Sequence, residues 1–178
     1  DVVQTYGLTE ASPVVTGNPP AHNRVGTVGT ALTGVELRIV DGELHVRGDG
    51  VMLGYLDDPD ATARCLDPDG WLATGDCASV DEEGYVTLHG RRKDLIVRGG
   101  AKLFPDEIEE VLHQHPSVQE AAVVGMPDRV YEELPVAFVV TTGAVDPQEL
   151  EEFCRSHLAS FKVPRSYRLV ESLPRNPN

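Results

Sequence analysis

The chain is poor in cysteine and in basic residues. Its 178 residues include three Cys, and Lys and Arg number 15 against 29 Asp and Glu, which gives a formal net charge of −14. Cys65, Cys77 and Cys154 are odd in number and lack C-x-x-C spacing, which argues against a disulfide framework or a zinc site and fits a reducing cytosol. The acidic excess opposes binding to nucleic acids and anionic membranes, since both need a basic face. We therefore expect a cytoplasmic protein without a nucleic-acid partner.

Long apolar runs and several nucleotide and hydrolase motifs are also missing. No stretch approaches the roughly 18 apolar residues that a transmembrane helix needs. The sequence has no G-x-x-x-x-G-K-[ST] phosphate loop, no G-x-G-x-x-G fingerprint and no G-x-S-x-G elbow. Its six histidines show no metal-ligand spacing. We expect no transmembrane segment and no site of these kinds.

The first half of the chain is rich in strand signals. Residues 35–40 alternate apolar and polar side chains, and Asp41-Gly42 then leads into residues 43–47, which is typical of a β-hairpin. Further short strands are predicted near residues 51–53, 71–73 and 85–89, with a short helix at residues 61–64. Residues 1–90 are therefore predicted to be β-rich.

Beyond residue 94 the pattern mixes helices with strands. A strand at residues 95–97 ends at two glycines, and strands are predicted at residues 118–125 and 134–141. Helices are predicted to begin at Pro105 and at Asp146-Pro147, because proline is favoured in a first helical turn. The fold class predicted for the chain is α+β, with a boundary at about residues 90 to 94.

A hydroxyl and a carboxylate lie next to each other near the start of the chain. Thr9 and Glu10 could together bind a phosphate oxygen and Mg²⁺, which prefers hard oxygen ligands. Tyr6 offers a flat ring on which a purine could stack. The alternative interpretation is a strand end followed by a helix N-cap, with Thr9 as the capping residue.

An acid and a base flank the middle of the chain. Asp76, which follows Gly75, could accept both hydroxyls of a ribose, and Arg91 supplies a fork of donors for a sugar or phosphate. The alternatives are an aspartate that caps a turn and a solvated surface arginine.

Two further features have a functional and a purely structural interpretation. Lys93-Asp94 is either a surface ion pair of little energetic value or a joint at which backbone angles change. Gly99-Gly100 either lets a ligand approach the backbone closely or forms a plain tight turn.

The order of the motifs is more informative than any one of them. Seven segments follow one another, at residues 6–10, 26–29, 42–48, 54–55, 70–76, 90–96 and 105–109. This series, which extends over most of the chain, resembles the adenylate-forming superfamily of acyl-CoA synthetases, peptide-synthetase adenylation domains and luciferases. The resemblance implies a β-rich, distorted barrel-like end of a large AMP-binding domain followed by a small α+β domain.

The resemblance also implies a chemistry and its residues. A carboxylic acid attacks the α-phosphate of ATP to give an acyl-adenylate, and the thiol of CoA then takes the acyl group. Tyr6 would flank adenine, and Asp76 and Arg91 would hold the ribose. Thr9 and Glu10 would be catalytic, with Thr9 on a phosphate and Glu10 as a ligand of Mg²⁺.

The remaining implied roles concern the second half of the chain. Lys93 falls at the hinge of the family, within residues 91–94, about which the small domain at residues 95–178 moves. Gly99 and Gly100 would lie in the loop that approaches the pantetheine of CoA.

The sequence departs from the family pattern at both ends. A Ser/Thr/Gly-rich phosphate loop ending in Pro-Lys does not precede residues 6–10, and the chain stops at Asn178, before the usual Gly-Lys with its catalytic lysine. We therefore expect a carboxy-terminal portion of a larger enzyme that forms no acyl-adenylate alone. The residues that shape the family's acyl pocket lie mainly upstream, so no particular acid and no oligomeric state is assigned.

Two other functions stay open at this stage. One is a peptide-synthetase adenylation domain that loads a carrier protein, although such domains commonly have aspartate at the hinge, where this chain has Lys93. Residues 70–72 and 92–96 are more similar to CoA ligases. The other is a non-catalytic module that binds a nucleotide for regulation or docking.

Overall fold

The computed structural model describes residues 2–175, which divide into two compact units between Arg92 and Lys93. We call residues 1–92 unit 1 and residues 93–178 unit 2. The described residues do not include Asp1 or the last three residues, Asn176, Pro177 and Asn178, where the sequence departs from the family pattern. Within the described part, no helix has the length and apolar character to cross a membrane.

Residues 2–92 of unit 1 form two antiparallel sheets and one α-helix. Its elements are β1 Thr5–Tyr6, β2 Thr16–Gly17, β3 Thr30–Ala31, β4 Val35–Val40, β5 Glu43–Gly48, α1 Pro59–Cys65, β6 Leu72–Val80 and β7 Val86–Arg91, with 3-10 turns at Thr9–Ala11 and Pro20–His22. One sheet has the order β1-β2-β3 and the other the order β4-β5-β6-β7. Over residues 2–92 the four-stranded sheet is open, with β4 and β7 as its edges, so the predicted barrel-like shape does not extend to a closed barrel.

The hairpin between β4 and β5 follows the sequence prediction. Val40 pairs with Glu43 across a two-residue turn, and Asp41 and Gly42 adopt φ angles of 52° and 85°. Such a turn matches the twist of the strands it joins. Leu44 and Val46 of β5 are almost fully buried, and together with other apolar residues of unit 1 they form its core.

The predicted strand at residues 51–53 is wrong. These residues form a bend in which the N–H of Val51 donates to the oxygen of Gly48, and Leu53 is fully exposed. The short helix predicted at residues 61–64 is longer, because Asp58 caps it through a 2.8 Å bond from the N–H of Ala61 and Pro59 fills its first position.

The described part of unit 2, residues 93–175, is a mixed sheet with two helices. Its elements are β8 Ile96–Arg98, β9 Ala101–Leu103, α2 Pro105–His113, β10 Val118–Asp128, β11 Glu132–Thr141, α3 Pro147–His157 and β12 Ser166–Leu169. The strand order is β10-β11-β8-β9, and β12 pairs in parallel with β11. The apolar sides of both helices are buried in the core at Ile108, Leu112, Leu150 and Cys154. The predicted α+β class is confirmed.

Candidate functional site

Asp76 and Arg91 form a cross-strand pair at the end of the four-stranded sheet. The two residues are partners in the register of β6 and β7, and Asp76 Oδ1 lies 3.0 Å from Arg91 Nε. The Asp76 side chain is 14% exposed, whereas that of Arg91 is 59% exposed. The carboxylate is therefore held in the sheet while the other donors of the guanidinium are accessible.

The second oxygen of this carboxylate is bound by Tyr6. The Tyr6 hydroxyl donates to Asp76 Oδ2 at 2.6 Å, and the tyrosine is only 9% exposed in the core of unit 1. Burial, followed by the bond to Asp76, raises the pKa of the Tyr6 phenol well above its usual value. Tyr6 and Arg91 together fix the orientation of the carboxylate. Stacking of Tyr6 on adenine stays a prediction.

A buried acid, Glu43, supports the strand that carries Asp76. Its Oε1 accepts from the N–H of Gly75 at 2.9 Å, and its Oε2 accepts from Arg92 Nη1 at 2.8 Å. Glu43 is only 8% exposed. Sequence reasoning missed this residue, because an acid at the start of a strand has the pattern of a surface residue.

The Thr74 side chain also stabilises the strand that carries Asp76. Its hydroxyl donates to the oxygen of Leu44 at 2.8 Å and accepts from the N–H of Asp76 at 3.1 Å. Thr74 is buried, so these bonds satisfy a polar group that would otherwise be costly in the interior. The backbone on both sides of Gly75 is thereby tied to β5.

Thr9 and Glu10 lie in a short 3-10 turn after β1. Leu8 is the residue at the cap position, and no side chain caps the turn, so the alternative of Thr9 as an N-cap is wrong. Thr9 is exposed and Glu10 is half-buried. Across residues 2–175, no hydrogen bond or ion pair joins this turn's side chains to Asp76 or Arg91.

Glu10 has a tyrosine partner that sequence reasoning did not assign. The Tyr55 hydroxyl donates to Glu10 Oε1 at 2.8 Å. This bond to a carboxylate is the main reason that the pKa of Tyr55 is raised to about 12. The available signal was the Gly54-Tyr55 segment, which belongs to the ordered motif series but carries no charge that indicates a role.

Lys93 lies at the junction of the two units. It is exposed and belongs to the 3-10 turn Arg92–Asp94 that follows β7. It borders a cleft of 470 Å³ in unit 2 whose wall includes Asp106 and Glu109. Burial raises the pKa of both carboxyls. Within the described part of the chain, no three His, Cys, Asp or Glu residues are grouped so that they could hold a metal.

Gly99 and Gly100 form the turn of the β8–β9 hairpin. Their φ angles are 55° and 81°, and Arg98 pairs with Ala101 across them. The N–H of Gly99 also donates to the oxygen of Tyr131 at 2.8 Å. The interpretation as a tight turn is confirmed, since positive φ at both positions favours glycine. Contact with pantetheine stays a prediction.

Two family models match the chain in sequence order. The model described as AMP-binding enzyme matches residues 1–56, and the model described as AMP-binding enzyme C-terminal domain matches residues 107–178. One match lies within unit 1 and the other within unit 2.

The curated relatives are CoA ligases. The chain is 46% identical over 99% of its length to a methyl-dioxo-octahydroindenyl-propanoyl:CoA ligase of Rhodococcus jostii, of which it covers 35%. It is 43% identical over 98% of its length to 2-succinylbenzoate–CoA ligase of Bacillus cereus, of which it covers 39%. It is 42% identical over 98% of its length to a long-chain-fatty-acid–CoA ligase of Yersinia pestis, of which it covers 33%. The chain thus spans well under half the length of these relatives.

Solved structures show the same fold. One is o-succinylbenzoate CoA synthetase from Bacillus subtilis in complex with an acyl-adenylate intermediate, at a TM-score of 0.92 and 35% identity, covering 98% of this chain and 38% of that one. Another is ATP-bound MatB from Rhodopseudomonas palustris, at a TM-score of 0.90 and 37% identity, with the same two coverages. The chain belongs to the adenylate-forming superfamily of AMP-binding enzymes, and the curated relatives it matches are acyl-CoA ligases.

Proposed function

We propose that the whole protein carrying this chain is an ATP-dependent, AMP-forming ligase that joins a carboxylic acid to CoA. Its cofactors are ATP, Mg²⁺ and CoA. Three observations support this assignment: the CoA-ligase names of the curated relatives, the solved relatives with bound ATP or acyl-adenylate, and a relative with ATP and magnesium. The observation within the chain that carries it is the orientation of the Asp76 carboxylate between Tyr6 and Arg91.

This carboxylate keeps the capacity to bind a ribose. Each carboxylate oxygen has two lone-pair sites, and the contacts with Arg91 and Tyr6 use one on each oxygen of Asp76. One acceptor site per oxygen is left for the two hydroxyls of the sugar. The Arg91 side chain is 59% exposed, so its Nη donors are available for further contacts with the sugar. In this assignment Tyr6 flanks the adenine while its hydroxyl orients Asp76.

The turn after β1 provides the groups for the phosphates. Thr9 presents an exposed hydroxyl that donates to a phosphate oxygen, and Glu10 supplies a hard carboxylate oxygen of the kind that Mg²⁺ prefers. A Mg²⁺ ion held by Glu10 would supply positive charge that stabilises the phosphates. We assign Thr9 and Glu10 as catalytic residues, with Glu10 as the metal ligand.

The proposed reaction proceeds in two steps. In the first, a carboxylate oxygen bonds to the α-phosphorus of ATP and the bond to the β-phosphate breaks, which releases pyrophosphate. In the second, the sulfur of CoA bonds to the acyl carbon, the thiol proton is lost and AMP leaves. Both steps use one nucleotide site. An Asp76 carboxylate that Tyr6 and Arg91 orient before the substrate arrives therefore serves both.

We also propose that the two units have different roles. Unit 1 holds the nucleotide, residues 91–94 act as the hinge with Lys93 at its centre, and unit 2 moves to bring Gly99 and Gly100 to the pantetheine. Support comes from the division of the chain between Arg92 and Lys93. Two alternative poses of unit 2, one for adenylation and one for acyl transfer, would let one site serve both steps.

The test is an assay of the whole protein with a panel of carboxylic acids. We expect acid-dependent exchange of labelled pyrophosphate into ATP, followed by a thioester when CoA is added. Transfer to a phosphopantetheinylated carrier protein but not to CoA would contradict the assigned acceptor. Nucleotide binding without exchange for any acid would contradict a ligase function.

The isolated chain of 178 residues serves as the matched comparison. Because it spans 38% of the solved relatives' length, we propose that it binds AMP weakly and catalyses no exchange. Acid-dependent exchange by this chain alone would show that its own residues suffice for adenylation.

A further inference from the structure

Tyr55 and Glu10 are in contact although 45 residues separate them. The phenol donates to Glu10 Oε1 at 2.8 Å. A second bond joins the same two segments, because the N–H of Met52 donates to the backbone oxygen of Glu10 at 2.8 Å. The segment that carries Met52 and Tyr55 therefore holds Glu10 by both its backbone and its side chain.

Helix α1 fixes the position of Tyr55. The N–H of Tyr55 donates to Thr62 Oγ1 at 2.9 Å, and the same hydroxyl donates to the oxygen of Asp58 at 3.0 Å. The preceding Gly54 has a φ of 148°, and a Cβ there would lie 2.9 Å from the Thr62 side chain. The backbone that presents Tyr55 thus requires glycine at position 54 and is anchored on the first turn of α1.

Tyr55 contacts Glu10 from a partly exposed position. Tyr55 is 41% exposed, so its ring is only partly covered by the protein. Glu10 Oε2 has no hydrogen-bond partner within residues 2–175. One oxygen of the carboxylate is therefore held by Tyr55, while the acceptor sites of the other are not used by a described residue.

We propose that Tyr55 is a positioning residue for Glu10, which it holds through Oε1 so that Oε2 faces the divalent cation of the nucleotide. The inference rests on the proposed function, because that function assigns Glu10 to the metal. A carboxylate that is fixed before binding loses less rotational freedom when the metal arrives. Removal of the phenol hydroxyl should then weaken metal binding rather than the chemistry at saturating metal.

The experiment compares the whole protein with Tyr55→Phe and Tyr85→Phe. Tyr85 is a matched control, since its hydroxyl also makes one hydrogen bond at the surface of unit 1, to the oxygen of His22 at 3.0 Å. Mn²⁺ is titrated into each protein with ATP, and free Mn²⁺ is followed by its paramagnetic resonance signal. The Mg²⁺ dependence of pyrophosphate exchange and the melting temperature are measured on the same samples.

We expect Tyr55→Phe to bind Mn²⁺ about tenfold more weakly, as loss of one hydrogen bond to a charged group allows. The Mg²⁺ concentration for half-maximal exchange should rise by a similar factor, while the rate at saturating Mg²⁺ and the melting temperature stay near those of the wild type. Tyr85→Phe should behave as the wild type. In the wild type, Mn²⁺ should broaden the ring resonances of Tyr55 more strongly than those of Tyr85.

The outcomes separate the two proposals. If the wild type exchanges pyrophosphate and Tyr55→Phe shows the same metal dependence as the wild type, the positioning role alone is overturned. Equal broadening of both tyrosines does the same without recourse to any variant. A wild type with neither Mn²⁺ binding nor exchange overturns the proposed function and this inference with it.

Discussion

Asp76 and Arg91 lie opposite each other on neighbouring strands, and the carboxylate is tied to Tyr6 on its other oxygen. Fourteen intervening residues fold back as β6, a turn and β7 to bring the two together. The pair is therefore a product of the hairpin register, and a shift by one residue would move the two side chains to opposite faces.

Asp76→Asn should lower the affinity of the chain for AMP by at least about tenfold. The amide places an NH₂ donor where an acceptor is required and removes the charge that attracts Arg91. Isothermal titration calorimetry with AMP measures the change. Glu36→Gln is the control, because Glu36 and Arg47 form a comparable cross-strand pair on β4 and β5. Equal affinities for Asp76→Asn and Glu36→Gln would contradict a ribose site at Asp76.

Tyr6→Phe should destabilise unit 1 at neutral pH by about 1–3 kcal/mol, since a buried hydrogen bond to a carboxylate is lost. The pKa of Tyr6 is raised in the folded state, so its contribution is fully present below the unfolded value of about 10 and is lost as pH rises through the higher folded value. Urea unfolding at pH 8 and at pH 10.5 should therefore show a smaller difference between variant and wild type at the higher pH. A difference that grows with pH would contradict this assignment.

Glu43→Ala should cost about 2–4 kcal/mol, because the N–H of Gly75 and the guanidinium of Arg92 lose a shared buried acceptor. Glu43→Gln should cost less, since its amide oxygen can still accept from Gly75. Urea unfolding of the chain gives both values. Glu36→Ala is the exposed counterpart and should change the stability little. If the two alanine variants were equally stable, Glu43 would not be a structural support of the site.

The sequence anticipated the elements whose signals are local. The Asp41-Gly42 turn and the proline-led starts of α2 and α3 depend on neighbouring residues only, and the structure confirms all three. Strand β12 was missed, because its residues are mostly exposed and its pairing with β11 depends on long-range contacts.

The site was anticipated in part for the same reason. Asp76 and Arg91 were predicted as candidates from their side-chain chemistry, the resemblance then implied a ribose site, and the structure pairs the two residues. Glu43 and Tyr55 escaped notice, because each acts through a partner that is more than 30 residues away and a lone acid or tyrosine gives no local signal. Pairings of this kind follow from the fold rather than from spacing.

Gly100→Ala should impair acyl transfer to CoA while leaving pyrophosphate exchange intact. Its φ of 81° strains any L-residue by about 1–2 kcal/mol, and an added Cβ meets nothing within 4 Å. Gly70→Ala is a close control, because Gly70 has a φ of 80° and equally open surroundings in unit 1. Both variants should lose similar stability in thermal unfolding of the whole protein. A loss of CoA transfer that is equal in the two would remove the case for Gly99-Gly100 as the pantetheine loop.

The most direct test of the account follows one oxygen atom through the reaction. The whole protein is given its carboxylic acid labelled with heavy oxygen in the carboxylate, together with ATP, Mg²⁺ and CoA, and the nucleotide product is analysed by mass spectrometry. Because the acid attacks the α-phosphorus, AMP should carry one labelled oxygen for each acyl-CoA formed. Label in inorganic phosphate together with ADP, or unlabelled AMP, would contradict an acyl-adenylate intermediate and with it the central proposal.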